Sequence, residues 1–210
     1  MTHFQRVSGL IVLALLAYAL PWIANTSTPL TMGAYDLAEW ASIHPVARIS
    51  EPTMLVSLLL RLPLVFMAII VGFAAPTPPL RVVGWWVALI AVLIITASSL
   101  PPLEFFTGGA ERSDPNYQQQ FYLTIAACVG GFAGLTGLLP KARPYVAIVA
   151  AVGAIAVSID GINRSISLMD WMNLSAGISN GLILYVIVMI LVTSTLLVQG
   201  INTQKKQQVN

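Results

Sequence analysis

Arg61 stands in the run Leu58-Leu-Leu-Arg-Leu-Pro63, a cation with leucine on both sides. A charge at the centre of a membrane-spanning helix costs about 2.5–3.5 kcal/mol on insertion scales, and less when the side chain snorkels. A helical rise of about 1.5 Å per residue puts Arg61 roughly 12 Å below the outer start of its apolar stretch. Three uses of such a cation stay open. It can snorkel outward to lipid phosphate. It can pair with an acid at the outer end, with Asp160 the natural candidate. It can line a solute path or face another subunit. Pro63 removes a helix hydrogen bond nearby and frees a carbonyl that the guanidinium can take.

The other groups with chemistry to offer lie between apolar stretches. Gly33-Ala-Tyr-Asp-Leu-Ala-Glu-Trp-Ala-Ser-Ile43 has helical spacing and is followed by Pro45. Leu37, Trp40, Ala41 and His44 share one face, while Asp36 and Glu39 project from another. The segment reads as a helix on the outer membrane surface, or as a docking face for a partner or solute. A catalytic carboxylate pair is disfavoured, because no third chemical group accompanies it. Asp160 and Arg164 have the spacing of a local i,i+4 pair. Asp170 precedes Trp171 in a second outer loop, so the two loops either anchor independently, the reading preferred, or join as a cap. Arg61, Asp36, Glu39, Trp40, Asp160 and Asp170 are therefore the candidate partner- or solute-binding residues.

Several chemistries lack their parts. Cys128 is the only cysteine and sits in apolar company, where a thiol is inert. His3 and His44 are the only histidines. There is no glycine-rich phosphate loop, zinc-type histidine pair or Gly-x-Ser-x-Gly elbow. No cofactor and no metal are expected, and a net charge of +2 without a basic stripe argues against nucleic acid. Asn25, Asn163 and Asn173 begin glycosylation-type triplets, a pattern common by chance.

The elements that must position these residues follow from composition. Charged residues make up 9% of the 210, against roughly 25% in soluble domains, and hydrophobic residues 57%. Lipid is the solvent that suits such a chain. Six stretches are long enough to span: about 7–24, 53–75, 82–100, 120–139, 145–162 and 178–198. Alternate loops hold Arg6, Arg81, Lys141, Arg143, Lys205 and Lys206 without an acid. The opposite loops hold all eight acids. The basic set marks the cytoplasmic side, which places both termini inside a cell membrane. Trp22 suits an interfacial anchor, so the first span reads as retained rather than as a cleaved leader.

Gly130 and Gly134 form a small-xxx-small face in the fourth span, and Ala147, Ala150, Ala151, Gly153 and Ala154 line the fifth. The short Lys141–Pro144 loop predicts a tight hairpin of these two.

The expected protein is an all-α polytopic membrane protein. It is one transmembrane domain over 1–210, a bundle of about six helices, with an outer loop 25–52 carrying a short helix over 33–43. Its expected partners are the lipid bilayer and other membrane subunits. Two functions compete. One is a non-catalytic subunit of a larger membrane assembly with an acidic outer docking face. The other is a permease-type transport subunit with Arg61 near the solute path. A membrane-embedded enzyme comes third.

Overall fold

The computed structural model describes the backbone of residues 2–25, 30–77 and 82–209, with side chains through Ile201. Pro78, Pro79, Arg81, the triplet residues Thr26 and Ser27, and the side chains of Lys205 and Lys206 fall outside the described residues.

Among the described residues the regular structure is helical apart from three two-residue strands. Its elements are α1 (His3–Ala19), β1 (Ile23–Ala24), β2 (Thr31–Met32), α2 (Ala34–Ile43), α3 (Pro45–Ile49), α4 (Leu55–Ala74), α5 (Val83–Ala97) and α6 (Glu104–Thr107). A 3-10 turn at Ala110–Ser113 leads into α7 (Pro115–Leu135), followed by α8 (Arg143–Asp170), β3 (Gly177–Ile178) and α9 (Asn180–Val209). Thr2 and Gln5 cap the start of α1 reciprocally, and Asp114 caps α7 through the Asn116 amide.

Among the described residues, three helices are long and apolar enough to cross a membrane: Leu55–Ala74, Arg143–Asp170 and Asn180–Ile201. The helices α1 and α5 are apolar but have 17 and 15 residues. Their apolar sequence continues past the last helical turn as Leu20-Pro-Trp-Ile and Ser98-Ser-Leu. The 21-residue α7 opens on Asn116-Tyr-Gln-Gln-Gln120, which dilutes its hydropathy.

The six long helices alternate in direction. The end of α1 meets the start of α9, where Gly181 donates to the Pro21 carbonyl. The start of α1 meets the far part of α9, where His3 meets the Thr195 carbonyl at 3.2 Å. Likewise Trp85 at the start of α5 donates to the carbonyl of Leu135 at the end of α7, 2.9 Å away. One end of the bundle therefore gathers the acids, and the other gathers Arg6, Lys141 and Arg143.

The central element is α4. It packs against α8 on one side, α7 and α5 on the other, and α2 across its first turns, while α9 lies on α1 and α8. The expected α7–α8 hairpin is not formed, because α4 lies between them. The small residues explain why. A methyl group at Gly134 would strike the backbone of Gly72 and Phe73 in α4, and one at Gly130 would strike Ile69. Gly153 and Gly161 of α8 face Phe66, Leu59 and Leu60 of the same helix. Both small-residue faces thus close on α4, since bare backbone allows the nearest approach to bulky leucine, isoleucine and phenylalanine.

Two outer-loop expectations also change. The strands order as β2-β1-β3, antiparallel, with Ile23 opposite both Met32 and Ile178. This joins the first outer loop to the last, so the two loops do not anchor independently. Trp22 is fully buried rather than interfacial. Its indole donates to the Ala17 carbonyl at 3.0 Å and its ring packs against Tyr18 and Tyr185. The backbone of Trp22 extends both strand pairings, accepting from Ser179 and donating to the Met32 carbonyl, while its ring is buried. Trp171, by contrast, is exposed at the tip of α8.

Candidate functional site

Arg61 lies seven residues into α4 with its side chain only 3% exposed. Its Nη2 donates to Glu39 Oε1 at 2.6 Å. Its Nη1 donates to Asn116 Oδ1 at 2.7 Å and to Gln119 Oε1 at 3.3 Å. The same Glu39 oxygen accepts from Gln120 Nε2 at 2.9 Å, and the other oxygen accepts from Asn116 Nδ2 at 3.4 Å. Gln119 in turn donates to the Met54 carbonyl at the start of α4. One guanidinium thus ties α2, α4 and α7 together.

The local sequence makes this possible. Gly33 caps α2 closely against the Ala19 and Leu20 carbonyls, and a side chain there would clash with them. From that start, Ala34, Leu37, Ala38 and Ala41 are buried. The apolar face of α2 therefore lies on α4 and its neighbours rather than on lipid. Seating α2 this way turns Glu39 inward and leaves Asp36 exposed, so the two carboxylates do not act as a pair. Trp40 is half-buried and stacks obliquely on His44, ring centroids 5.4 Å apart. Tyr35, on the preceding turn, has its phenol held above the ordinary range, first by burial and then by the Glu39 charge.

Of the three readings of Arg61, the pairing with an acid is the one realised, but the acid is Glu39 and not Asp160. Asp160 instead pairs with Arg164 one turn on, at 3.0 Å, with both side chains about half exposed. Nor does the guanidinium take a carbonyl near Pro63. The Tyr18 hydroxyl donates to the Leu60 carbonyl at 2.8 Å, next to Leu59, the residue whose carbonyl loses its helical donor at Pro63. Arg61 Nε is buried without a partner. Asp170 is exposed at the end of α8.

Asn116, Gln119 and Gln120 were not among the residues singled out from sequence. Their signal was present. A run of amides at the mouth of an apolar segment, at the same end as an arginine set in an apolar helix, supplies the neutral acceptors that a guanidinium needs.

A second arginine works at the opposite end. Arg143, the first residue of α8, donates through Nη1 to the Gly134 carbonyl at 2.9 Å. Its Nη2 donates to the carbonyls of Ala75 at 2.8 Å and Gly72 at 3.3 Å. These carbonyls belong to the last turns of α4 and α7, the negative ends of both helix dipoles, and those of Gly72 and Gly134 also accept a backbone N–H.

Chemically, the network at the acidic end can pair charges and orient side chains. It holds a carboxylate, a guanidinium and three carboxamides. Among the described residues, no group of three His, Cys, Asp or Glu side chains is placed to hold a metal ion. Cys128 is free and half-buried in α7. Comparison with protein-family models, with curated proteins and with solved structures finds no match to this chain.

Proposed function

We propose that this chain is a non-catalytic integral membrane subunit of a larger assembly, presenting an acidic outer face to its neighbours. In this reading α1, α4, α5, α7, α8 and α9 cross the bilayer, with both termini cytoplasmic in a cell (inner) membrane. The observation that carries it is the internal use of Arg61. The charge buried in the apolar part of α4 is spent on Glu39, Asn116 and Gln119 of the same chain. That arrangement serves to hold a cap in place rather than to receive a solute. Exposed acids at that end include Asp36 on α2 and Asp170 beside the exposed Trp171, with Asp160, paired to Arg164, further down α8 and Glu51, Glu104 and Glu111 on the connecting segments. Acids beside an exposed tryptophan suit a polar, partly apolar contact with another subunit.

The test is purification in a mild detergent followed by native mass measurement. The expected species contains at least one further chain. Joint Asp36→Asn, Asp160→Asn and Asp170→Asn substitution releases that chain while this one stays folded. A chain that always emerges alone, or a complex indifferent to the three substitutions, overturns the reading. Orientation is checked in a Cys128→Ser background: a cysteine placed at Asp170 reacts with an impermeant maleimide from outside, and one placed at Gln5 does not.

The permease reading keeps one supporting observation, the unpartnered Nε of Arg61. A carboxylate solute displacing Glu39 would find two donors on that edge of the guanidinium. Under that reading Arg61→Ala abolishes flux at normal expression, and unaltered flux rejects it.

A further inference from the structure

At the basic end a cleft of about 790 Å³ opens between the start of α1, the end of α4, the starts of α5 and α8, and α9 near Leu196. Ligand pockets commonly span roughly 300–1,000 Å³. The walls are largely apolar, with Phe4, Phe73, Val87 and Leu196 among them. Polar groups also reach it, including His3, Ser8 and Arg143. Two of these are incompletely satisfied. His3 Nδ1 and Ser8 Oγ are buried without a hydrogen-bond partner. Buried polar atoms are normally paired, so each such atom calls for an occupant or an explanation.

Charge points the same way. Arg143 gives its hydrogen bonds to carbonyls, and among the described residues it makes no ion pair with a carboxylate. All the acids lie at the far end of the bundle. A guanidinium has five N–H donors, so three such bonds leave two for an anion. The cleft also opens sideways. Val83 and Val87 line it, yet they are 79% and 48% exposed on the outside of α5. An occupant that is anionic at one end and hydrocarbon at the other fits all of these features. Basic pockets between helices on the cytoplasmic side are a physical match for anionic lipid headgroups.

We propose that this cleft holds one anionic phospholipid, its phosphate against Arg143 and Ser8, a hydroxyl of its headgroup donating to His3 Nδ1, and an acyl chain along Phe73, Val87 and Leu196. The inference rests on the membrane placement of the chain and not on its membership of an assembly.

The test is native mass spectrometry of the full chain in detergent, titrated with dioleoylphosphatidylglycerol or dioleoylphosphatidylcholine. One phosphatidylglycerol is retained with about fivefold preference, the factor that one basic group near an anionic surface supplies. Val83→Trp plugs the mouth and removes the preference. Val149→Trp, at an exposed position of α8 that does not line the cleft, keeps it. Arg143→Gln also removes the preference, but Arg143 joins three helices, so the Val83 variant carries the test if that protein does not fold. Equal retention of the two lipids, a preference that survives Val83→Trp, or displacement of the lipid by inorganic phosphate overturns the proposal. No other protein chain enters this measurement, so its failure and the failure of the assembly reading are separate results.

Discussion

At the acidic end of the bundle Arg61 terminates on side chains, and at the basic end Arg143 terminates on backbone. The first clasp is an ion pair with amide support, Glu39 and Asn116 at 2.6 and 2.7 Å. The second is three carbonyl contacts at the ends of α4 and α7. The difference teaches where specificity resides. A side-chain clasp depends on the identity of each partner and can be removed as a unit. A backbone clasp depends on how closely two helices approach, and so on the glycines that permit it. The outer clasp holds a separate cap, α2, on the bundle. The one at the basic end fastens α4, α7 and α8 to each other.

The largest expected effect falls on the glycines beneath the inner clasp. In Gly134→Val the new Cβ meets the Gly72 and Phe73 backbone, so α4 and α7 must separate and the Arg143 carbonyls disperse. A loss of about 3 kcal/mol or more is expected, read as loss of monodisperse protein and a lower thermal midpoint in detergent. Wild-type behaviour would mean that the close approach is not what builds the inner end.

Next comes Glu39→Ala, which leaves Arg61 buried beside neutral amides alone. A fully buried pair broken this way costs roughly 3–5 kcal/mol. Glu39 is 37% exposed, so about 2 kcal/mol is expected after solvent screening. Adding Arg61→Met recovers most of it, because no unpaired charge then remains. Failure of the double variant to recover would show that the cap is held by packing alone.

Arg143→Met is expected to cost about 1–2 kcal/mol, since it leaves three carbonyls with fewer donors. No single second substitution restores it, because its partners are backbone. Thermal midpoints of a panel of second-site variants check this contrast with the outer end. The smallest effect belongs to Asp160→Ala, whose pair with Arg164 is about half exposed on both sides. A change within about 0.5 kcal/mol is expected in the same assay.

The helical segments could be read from residue patterns directly. The expected helix over 33–43 and the observed Ala34–Ile43 agree because Gly33 and Pro45 punctuate a periodic stretch. The apolar stretches near 53–75 and 82–100 likewise enclose α4 and α5. Helix ends were less legible. The stretch near 145–162 grew to Arg143–Asp170, because polar residues beyond Asp160 continue one good helix into the outer layer. The oddness of Arg61 was visible, but its partner was not. Asp160 lies on a spanning helix, as Arg61 does, and looked nearer, whereas Glu39 arrives only when a loop helix folds over α4.

Residue chemistry by itself determined the class of solvent, the positions of the apolar helices and the separation of acids from bases. These depend on local composition and period, which no neighbour can alter. Tertiary structure alone decided which faces meet. It put α4 between α7 and α8, joined the first and last outer loops through β1, turned Glu39 toward Arg61 and brought the Gly72, Ala75 and Gly134 carbonyls within reach of Arg143. In a chain with apolar surfaces on many sides, hydrophobicity does not single out a partner face. Shape at the glycines and the need to satisfy one buried and one half-buried cation make that choice.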